Sequence, residues 1–419
     1  MKIAIIGSGI SGLSAAWYLH RQHRHAITLF EANDYIGGHT HTHVIPLDGQ
    51  QYAVDTGFIV FNDRTYPNFI ALLEQLQVPS QATQMSFSIQ CEQSGLEYNG
   101  NTLNSLFAQR RNLLRPGFYR MLRDILRFNR AAPALLAAAD NNLSLLDYLQ
   151  SSGYGKAFIE HYLLPMGAAI WSAEPGLIAR MPAHFFIRFF QNHGLLSVNQ
   201  RPQWHVIKGG SQRYVEALTA GFREHIRLRC PVAQIRRRPG HVEIQPVNGD
   251  SERFDAVIIA THSDQALRLL ADPSAAERTV LGAIPYQSNE VILHTDTRLL
   301  PRRKLAWAAW NYQVPAHPQD RVAVTYNMNI LQNLQAPVTF CVTLNPTRHI
   351  DPTRILARMT YQHPVFSPSS VAAQRRHAEI NGVNRTWYCG AYWRNGFHED
   401  GVSSALQTVQ SLTQQTLAA

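Results

Sequence analysis

Lys2-Ile-Ala-Ile-Ile-Gly-Ser-Gly-Ile-Ser-Gly12 opens as a short apolar run rich in β-branched residues and closes on three glycines. Such a run, stopped by glycine, predicts a fully buried strand. Beyond it Leu13, Ala16, Trp17 and Leu19 fall on one helical face. The glycines therefore stand at a strand-to-helix turn with the spacing G-x-G-x-x-G. Gly7 permits the tight turn, Gly9 lets backbone approach a pyrophosphate, and Gly12 lets the helix pack close to the strand. Ile10 and Ser11 begin that helix, where free N–H groups and the helix dipole favour negative charge. A second strand pattern, Ala26-Ile-Thr-Leu-Phe30, ends on Glu31. That acid lies close to the ~20 residues past the last glycine expected of a ribose-binding carboxylate, and it argues against a 2′-phosphate and so against NADP. Strand, glycines, helix, strand and acid in this order predict an α/β fold with a Rossmann-like dinucleotide site.

At 419 residues the chain is long for one core, which predicts two domains. An apolar fraction of 45% is that of an ordinary soluble globular protein. The net charge of +9 is nearly all arginine, because Lys2, Lys156, Lys208 and Lys304 are the only lysines. Nucleic acid, acidic lipid head groups and a GC-rich genome all fit such an excess, and composition does not choose among them. Cys91, Cys230, Cys341 and Cys389 lie far apart without a C-x-x-C pair, so they suggest neither a zinc site nor a disulfide framework. The opening apolar run is too short for a signal peptide. No apolar stretch approaches the ~18 residues that span a bilayer. The expected location is the cytoplasm, with contact at the inner face of the membrane left open.

Just past the acid, Asn33-Asp-Tyr-Ile-Gly-Gly-His-Thr40 carries the pair Gly37 and Gly38, followed by His39. Further on, Tyr52-Ala-Val-Asp-Thr-Gly-Phe58 runs from a strand pattern through Thr56 into Gly57 and Phe58. In this order the blocks resemble the glycine-doublet flavoproteins: flavin amine oxidases, protoporphyrinogen oxidase and phytoene desaturases. Cys230-Pro-Val-Ala-Gln-Ile235 resembles the family strand whose backbone meets the adenine, with Val232 at the contact position. Ile207-Lys-Gly-Gly-Ser211 with Tyr214-Val-Glu-Ala-Leu218 resembles its glycine turn and helix, and Phe254-Asp-Ala-Val-Ile-Ile-Ala260 its returning strand. Thr386-Trp-Tyr-Cys-Gly-Ala-Tyr392 and Gly396-Phe-His-Glu-Asp-Gly-Val-Ser-Ser-Ala405 resemble its C-terminal flavin motif. That motif implies Gly390 near the ribityl chain, and a helix N-terminus with Asp400, Gly401 and Val402 aimed at the flavin pyrimidine. The resemblance covers about half the chain and implies FAD, bound non-covalently, ahead of NAD.

Other blocks resemble one bacterial branch of predicted FAD-binding amine-oxidase-like proteins. They are Gly57-Phe-Ile-Val-Phe-Asn62 with Thr65-Tyr-Pro67, Ile170-Trp-Ser172, Asn192-His-Gly-Leu-Leu196 and Ala306-Trp-Ala-Ala-Trp-Asn-Tyr312. Members of that branch tend to be encoded beside cyclopropane-fatty-acid-synthase-like methyltransferases, and one group is implicated in furan fatty acid formation. The resemblance implies a lipid acyl substrate.

The expected architecture is a Rossmann-like FAD-binding domain (1–75, 203–283 and 381–419) interleaved with an α+β substrate domain (76–202 and 284–380). The first substrate segment reads mostly helical, including the run Ala131 to Ala139 and Leu145-Leu-Asp-Tyr-Leu149. The second reads as strands at 290–294, 321–327 and 338–344.

Many amine-oxidising relatives carry a lysine near flavin N5. The matching stretch, Ser288-Asn-Glu-Val-Ile-Leu-His294, has Glu290 at that place, which makes it the candidate catalytic residue and weighs against amine oxidation. A buried carboxylate there would act as a base or position water. The other reading is a strand residue facing solvent or pairing an arginine. Tyr392 and Trp393 are candidates for an aromatic cage, Trp393 also for core. His39, His41 and His43 alternate at strand spacing, so they would share one face. A metal is conceivable there, but the favoured reading has His39 facing the cofactor and no metal.

Three function classes stand. They are an FAD-dependent oxidoreductase acting on an apolar, lipid-like substrate, a flavin amine oxidase, and a redox-neutral fatty acid double-bond isomerase. FAD as a purely structural element is the non-enzymatic alternative. The arginine-rich segment 110–130 reads as a basic amphipathic helix. Its apolar stripe is Phe118, Met121, Leu122, Ile125 and Leu126, suited either to a lipid interface or to packing on the substrate domain with the arginines wet. No nucleic-acid-binding module accompanies the charge. The oligomeric state is not legible.

Overall fold

The apolar run at the start of the chain becomes a strand, Lys2–Ile6, in the middle of a five-stranded sheet. Across it the order is Ile226–Arg227, Ala26–Phe30, Lys2–Ile6, Ala256–Ile259 and Thr386–Tyr388, every neighbouring pair parallel. These strands are continuously apolar because both faces are covered. Ile3 and Ile5 pack towards helices Ile10–Arg21 and His398–Ala418. Ala4 and Ile6 pack the other way, with residues of the antiparallel sheet Val232–Arg238, His241–Pro246 and Glu252–Phe254. On that side the buried Arg237 guanidinium pairs Glu277 at 2.8 Å, and Glu277 also accepts the Tyr388 hydroxyl at 2.6 Å. The computed structural model describes residues 1–138, 143–197, 199, 201–317, 321–345 and 347–418; Ala139, the end of the alanine-rich run, lies outside them.

A second, seven-stranded sheet runs Ile355–Pro364, Tyr286–His294, Cys341–Leu344, Val324–Asn327, Trp310–Val314, Phe87–Cys91 and Glu97–Asn99. Its pairs are antiparallel except Trp310–Val314 with Phe87–Cys91. Two of these strands, and Ser80–Thr83 of a small third sheet, come from the region read as helical. The reason is that burial along Phe87–Cys91 does not alternate: Ser88, Ile89 and Cys91 are buried while Phe87 and Gln90 are half so, and no period of two marks so short a strand. Beyond residue 102 the segment is helical as expected, and its apolar side chains form one core with the second sheet. Leu145–Ser151 is the expected helix, whereas Ala132–Ala137 is a tighter 3-10 turn.

The buried Asp55 carboxylate, at the end of the hairpin Thr42–Leu47 and Gln50–Asp55, ties the start of helix Gln212–Thr219 to the end of helix Met328–Leu331. It accepts the Ser211 N–H at 2.9 Å and the Gln332 amide at 2.9 Å. Burial pushes it up to about 6.

Candidate active site

A cavity of about 850 Å³ lies between the carboxyl ends of the first sheet and the inner face of the second. Crevices at the carboxyl ends of parallel strands are where such folds bind ligands.

At one end lie Gly7, Gly9, Ile10 and Ser11. Gly12 stands just behind, and a Cβ there would lie 2.0 Å from the Gly7 carbonyl oxygen, so the helix sits on the strand as closely as its spacing predicts. The helix N-terminus has no acid in its first turn and is open to a phosphate. Glu31 lines the same end. Its Oε2 accepts from the Ser8 N–H at 2.8 Å and the Ser8 hydroxyl at 2.6 Å, and its Oε1 from the Asn33 N–H at 2.8 Å. Gly37 and Gly38 fold over this turn, Gly38 so closely that a Cβ would meet the Gly9 Cα at 3.1 Å. Val232 lines the wall nearby.

Further in, the lining includes Gly57, Phe58, Gly390 and Tyr392. His398, the first residue of its helix, stacks on Phe58 with ring centres 3.5 Å apart. Its Nε2 lies 3.0 Å from the Thr40 hydroxyl and 3.1 Å from that of Tyr214, and burial lowers it to about 3.

His39 enters this region as expected, but without its neighbours. The strand starts only at Thr42, so the rings of His41 and His43 lie together at 4.2 Å while His39 turns into the cavity. There it meets Tyr361, His363 and His262 at ring distances of 5.2, 5.4 and 5.9 Å. Burial, then the neighbouring imidazoles, hold it well below the usual histidine range, and its buried Nε2 has no partner among the described residues. No group of three His, Cys, Asp or Glu able to hold a metal occurs among those residues.

Several expected contacts fall elsewhere. Glu290 points away from the cavity: its side chain is 43% exposed and pairs Arg358 at 3.2 Å, and it accepts the Thr347 hydroxyl. Strand alternation gives the cause, since it is Asn289, one residue earlier, that faces inward and is fully buried. Asp400, Gly401 and Val402 do not line the cavity either. The helix begins at His398, so their turn faces helix Ile10–Arg21. Asp400 accepts the Phe397 N–H at 3.0 Å and the Asn395 N–H at 3.2 Å, and burial raises it to about 7. Gly401 lies so near that helix that a Cβ would meet Ile10 Cγ2 at 2.7 Å and Ser11 Oγ at 2.9 Å. Val402 is core. Asn395 to His398, one turn earlier, reach the cavity instead. Thr56 is also behind the wall, bound to the Tyr361 hydroxyl at 2.9 Å. Trp393 packs on His377 outside the cavity, leaving Tyr392 alone as a lining aromatic of that pair.

The sequence reading missed His363. It lines the cavity, and Gln287 opposite it in register shares a strand face with Asn289. The Asn289 amide donates to the Ser172 carbonyl at 2.9 Å, which fixes its nitrogen as the donor towards His363 Nδ1 at 3.1 Å. Its oxygen accepts from Asn345 at 2.9 Å, and Asn345 is oriented in turn by the Glu290 N–H. His363 Nδ1 must then be an acceptor and Nε2 the protonated nitrogen. Burial lowers this imidazole to about 4, so it is neutral near pH 7. The sequence signal was the pair Tyr361 and His363 at strand spacing.

The remaining wall is largely aromatic and aliphatic: Ile59, Ile170, Trp171, Trp310, Tyr326 and Phe366. Among the described lining residues Glu31 is the only carboxylate, and none is a lysine.

A glycine cradle facing a helix N-terminus, a ribose-distance acid and the unpartnered His39 Nε2 together fit a flavin dinucleotide. A family model described as flavin containing amine oxidoreductase matches residues 10–337. Solved structures share the fold. Cyclohexylamine oxidase from Brevibacterium oxydans IH-35A superposes with a TM-score of 0.71 at 14% identity over 99% of both chains. Wild-type putrescine oxidase bound to putrescine does so with 0.69 at 14% over 99% of both. The CLA-producing fatty acid isomerase from P. acnes gives 0.67 at 16% over 98% of both. No curated protein sequence matches the chain. The chain thus belongs to the flavin-containing amine oxidoreductases, an enzyme family whose cofactor is FAD.

Proposed function

We propose that this FAD-dependent oxidoreductase acts on an apolar, fatty-acyl substrate. The observation carrying the reading is the wall around Ile170, Trp171, Trp310 and Tyr326, which offers apolar surface and no carboxylate to an ammonium group. When bound, FAD supplies the hydride chemistry. Gly7, Gly9, Ile10 and Ser11 would hold its pyrophosphate, Glu31 its adenosine ribose, and Gly57, Phe58 and Gly390 the inner part. His363 presents a neutral imidazole whose proton sits on Nε2, and His39 a neutral ring with a free nitrogen. Both present neutral polar atoms beside this wall.

Redox-neutral double-bond isomerisation is the second reading, favoured by the likeness to a fatty acid isomerase. Anaerobic mixing separates the alternatives. Acyl lipids that bleach the flavin support oxidation, and acyl lipids whose double bonds move without net bleaching support isomerisation. Bleaching by amines alone would overturn the acyl assignment. Comparing the lipids of cells with and without the protein by mass spectrometry identifies the substrate.

A further inference from the structure

The segment from Leu103 to Arg130 concentrates two kinds of exposed side chain. Of the eleven large apolar residues exposed among the described residues, five are here: Leu103, Leu113, Leu114, Tyr119 and Leu126. Leu114 is 87% and Leu103 77% exposed. The same stretch carries seven arginines and a single acid, Asp124. That acid is buried and already taken, accepting the Gly155 N–H at 2.9 Å and lying 3.5 Å from Arg127. Arg120 and Arg123 have no ion pair or hydrogen bond among the described residues, and with Leu113, Leu114, Pro116 and Tyr119 they wall a shallow depression.

Core packing does not account for this surface. Helix Pro116–Ala131 is anchored by Phe118, Met121 and Phe128, which are buried, so the stripe read from the sequence divides. Phe118 and Met121 go inward and Leu122 and Ile125 pack against the same core, while Leu126 stays exposed, as do Leu113 and Leu114 of the preceding 3-10 turn, Arg110–Leu114. Exposed apolar groups collected in one place mark an interaction surface. Arginines without local acids fix the sign of the partner as negative, and leucines among them require a partner with an apolar layer beneath its charge.

We propose that the shelf formed by Arg110–Leu114 and the first half of helix Pro116–Ala131 docks on an anionic lipid bilayer. Leu113, Leu114 and Tyr119 enter the acyl boundary, and Arg120 and Arg123 meet the head-group phosphates. This geometry is that of an interfacial amphipathic helix lengthened by its N-terminal turn. It does not depend on the acyl-substrate reading.

The test is co-sedimentation of the FAD-loaded protein with phosphatidylcholine vesicles, with and without phosphatidylglycerol, at low and high salt. Binding should require phosphatidylglycerol and weaken with salt. Arg120→Gln with Arg123→Gln should weaken it about thirtyfold, at about 1 kcal/mol per basic residue. Leu113→Ser with Leu114→Ser should weaken it about tenfold or more, with flavin content unchanged in both variants. Negligible binding to both vesicles, equal binding to both, or anionic binding that survives both double substitutions would overturn the proposal. A protein partner in place of lipid would appear as the first of these outcomes.

Discussion

The position of Glu31, at the end of the second strand and beside the glycine turn, was legible because it depends on chain spacing alone. The structure adds that the same carboxylate holds the Ser8 turn and the Asn33 N–H. A charged hydrogen bond to the ribose is worth roughly 1.5–3 kcal/mol. Glu31→Ala should therefore weaken FAD binding about tenfold to a hundredfold in a fluorescence titration of the apoprotein, and unchanged affinity would contradict its placement. Of the two readings of Glu290, the structure has the strand residue pairing an arginine rather than the catalytic one, because an alignment sets a residue on a strand but only burial says which face it takes. Asn289 holds the inward place and works through His363. Asn289→Asp puts a carboxylate against His363 Nδ1, which should raise this imidazole from about 4 towards neutrality. The flavin absorbance of that variant should then titrate between about pH 5 and 7, where the parent protein is flat. A spectrum equally flat in both would show that His363 does not face the flavin.

At the scale of elements, the first strand, first helix and second strand match their sequence readings from Lys2 to Phe30. Continuous apolar runs and fixed glycines leave little freedom there. The C-terminal helix was also legible, and its first residue, His398, reaches the cavity, whereas Asp400 to Val402 pack behind it. A sequence shows that a helix follows Gly396; it does not show where its first residue faces. Gly401 accordingly packs between two helices, behind the residues that line the cavity. Gly401→Ala should cost about 1–3 kcal/mol through overpacking. Because Ile10 and Ser11 line the cavity, it should also reduce bound flavin per protein, measured as the ratio of flavin to protein absorbance. Loss of stability with full flavin content would show that the two helix ends are not coupled. The short strands Phe87–Cys91 and Glu97–Asn99 were hidden because each is only a few residues long and the pair joins the sheet through a partner distant in the chain, Trp310–Val314.

For the whole molecule, the interleaving of two sheets around one cavity follows from chain order, since each return of the chain to the first sheet adds a parallel strand there. Burying the junction also buries imidazoles. His193, His294 and His363 are lowered to about 4 and His398 to about 3. In the unfolded chain they protonate near 6.5, so the unfolded state binds more protons as pH falls from about 6.5 to 4, and stability declines over that window. Asp55 and Asp400, raised to about 6 and about 7, act in the opposite sense. Their contribution is complete below about 4 and lost as pH rises through those values. Four imidazoles outweigh two carboxylates, so thermal unfolding should occur at a lower temperature at pH 5 than at pH 7. An equal or higher midpoint at pH 5 would contradict the buried, neutral state of the histidines.

The central claim is that the cavity between the two sheets holds FAD without a covalent bond. Cys389, the only cysteine in the C-terminal flavin motif, is fully buried and does not line the cavity. The most direct measurement is the absorbance of the purified protein before and after heat denaturation, with the supernatant identified by chromatography. The account predicts a yellow protein whose flavin leaves with the supernatant as intact FAD. Flavin retained in the precipitate would contradict the non-covalent site, and a colourless protein that takes up no FAD on reconstitution would contradict the claim itself.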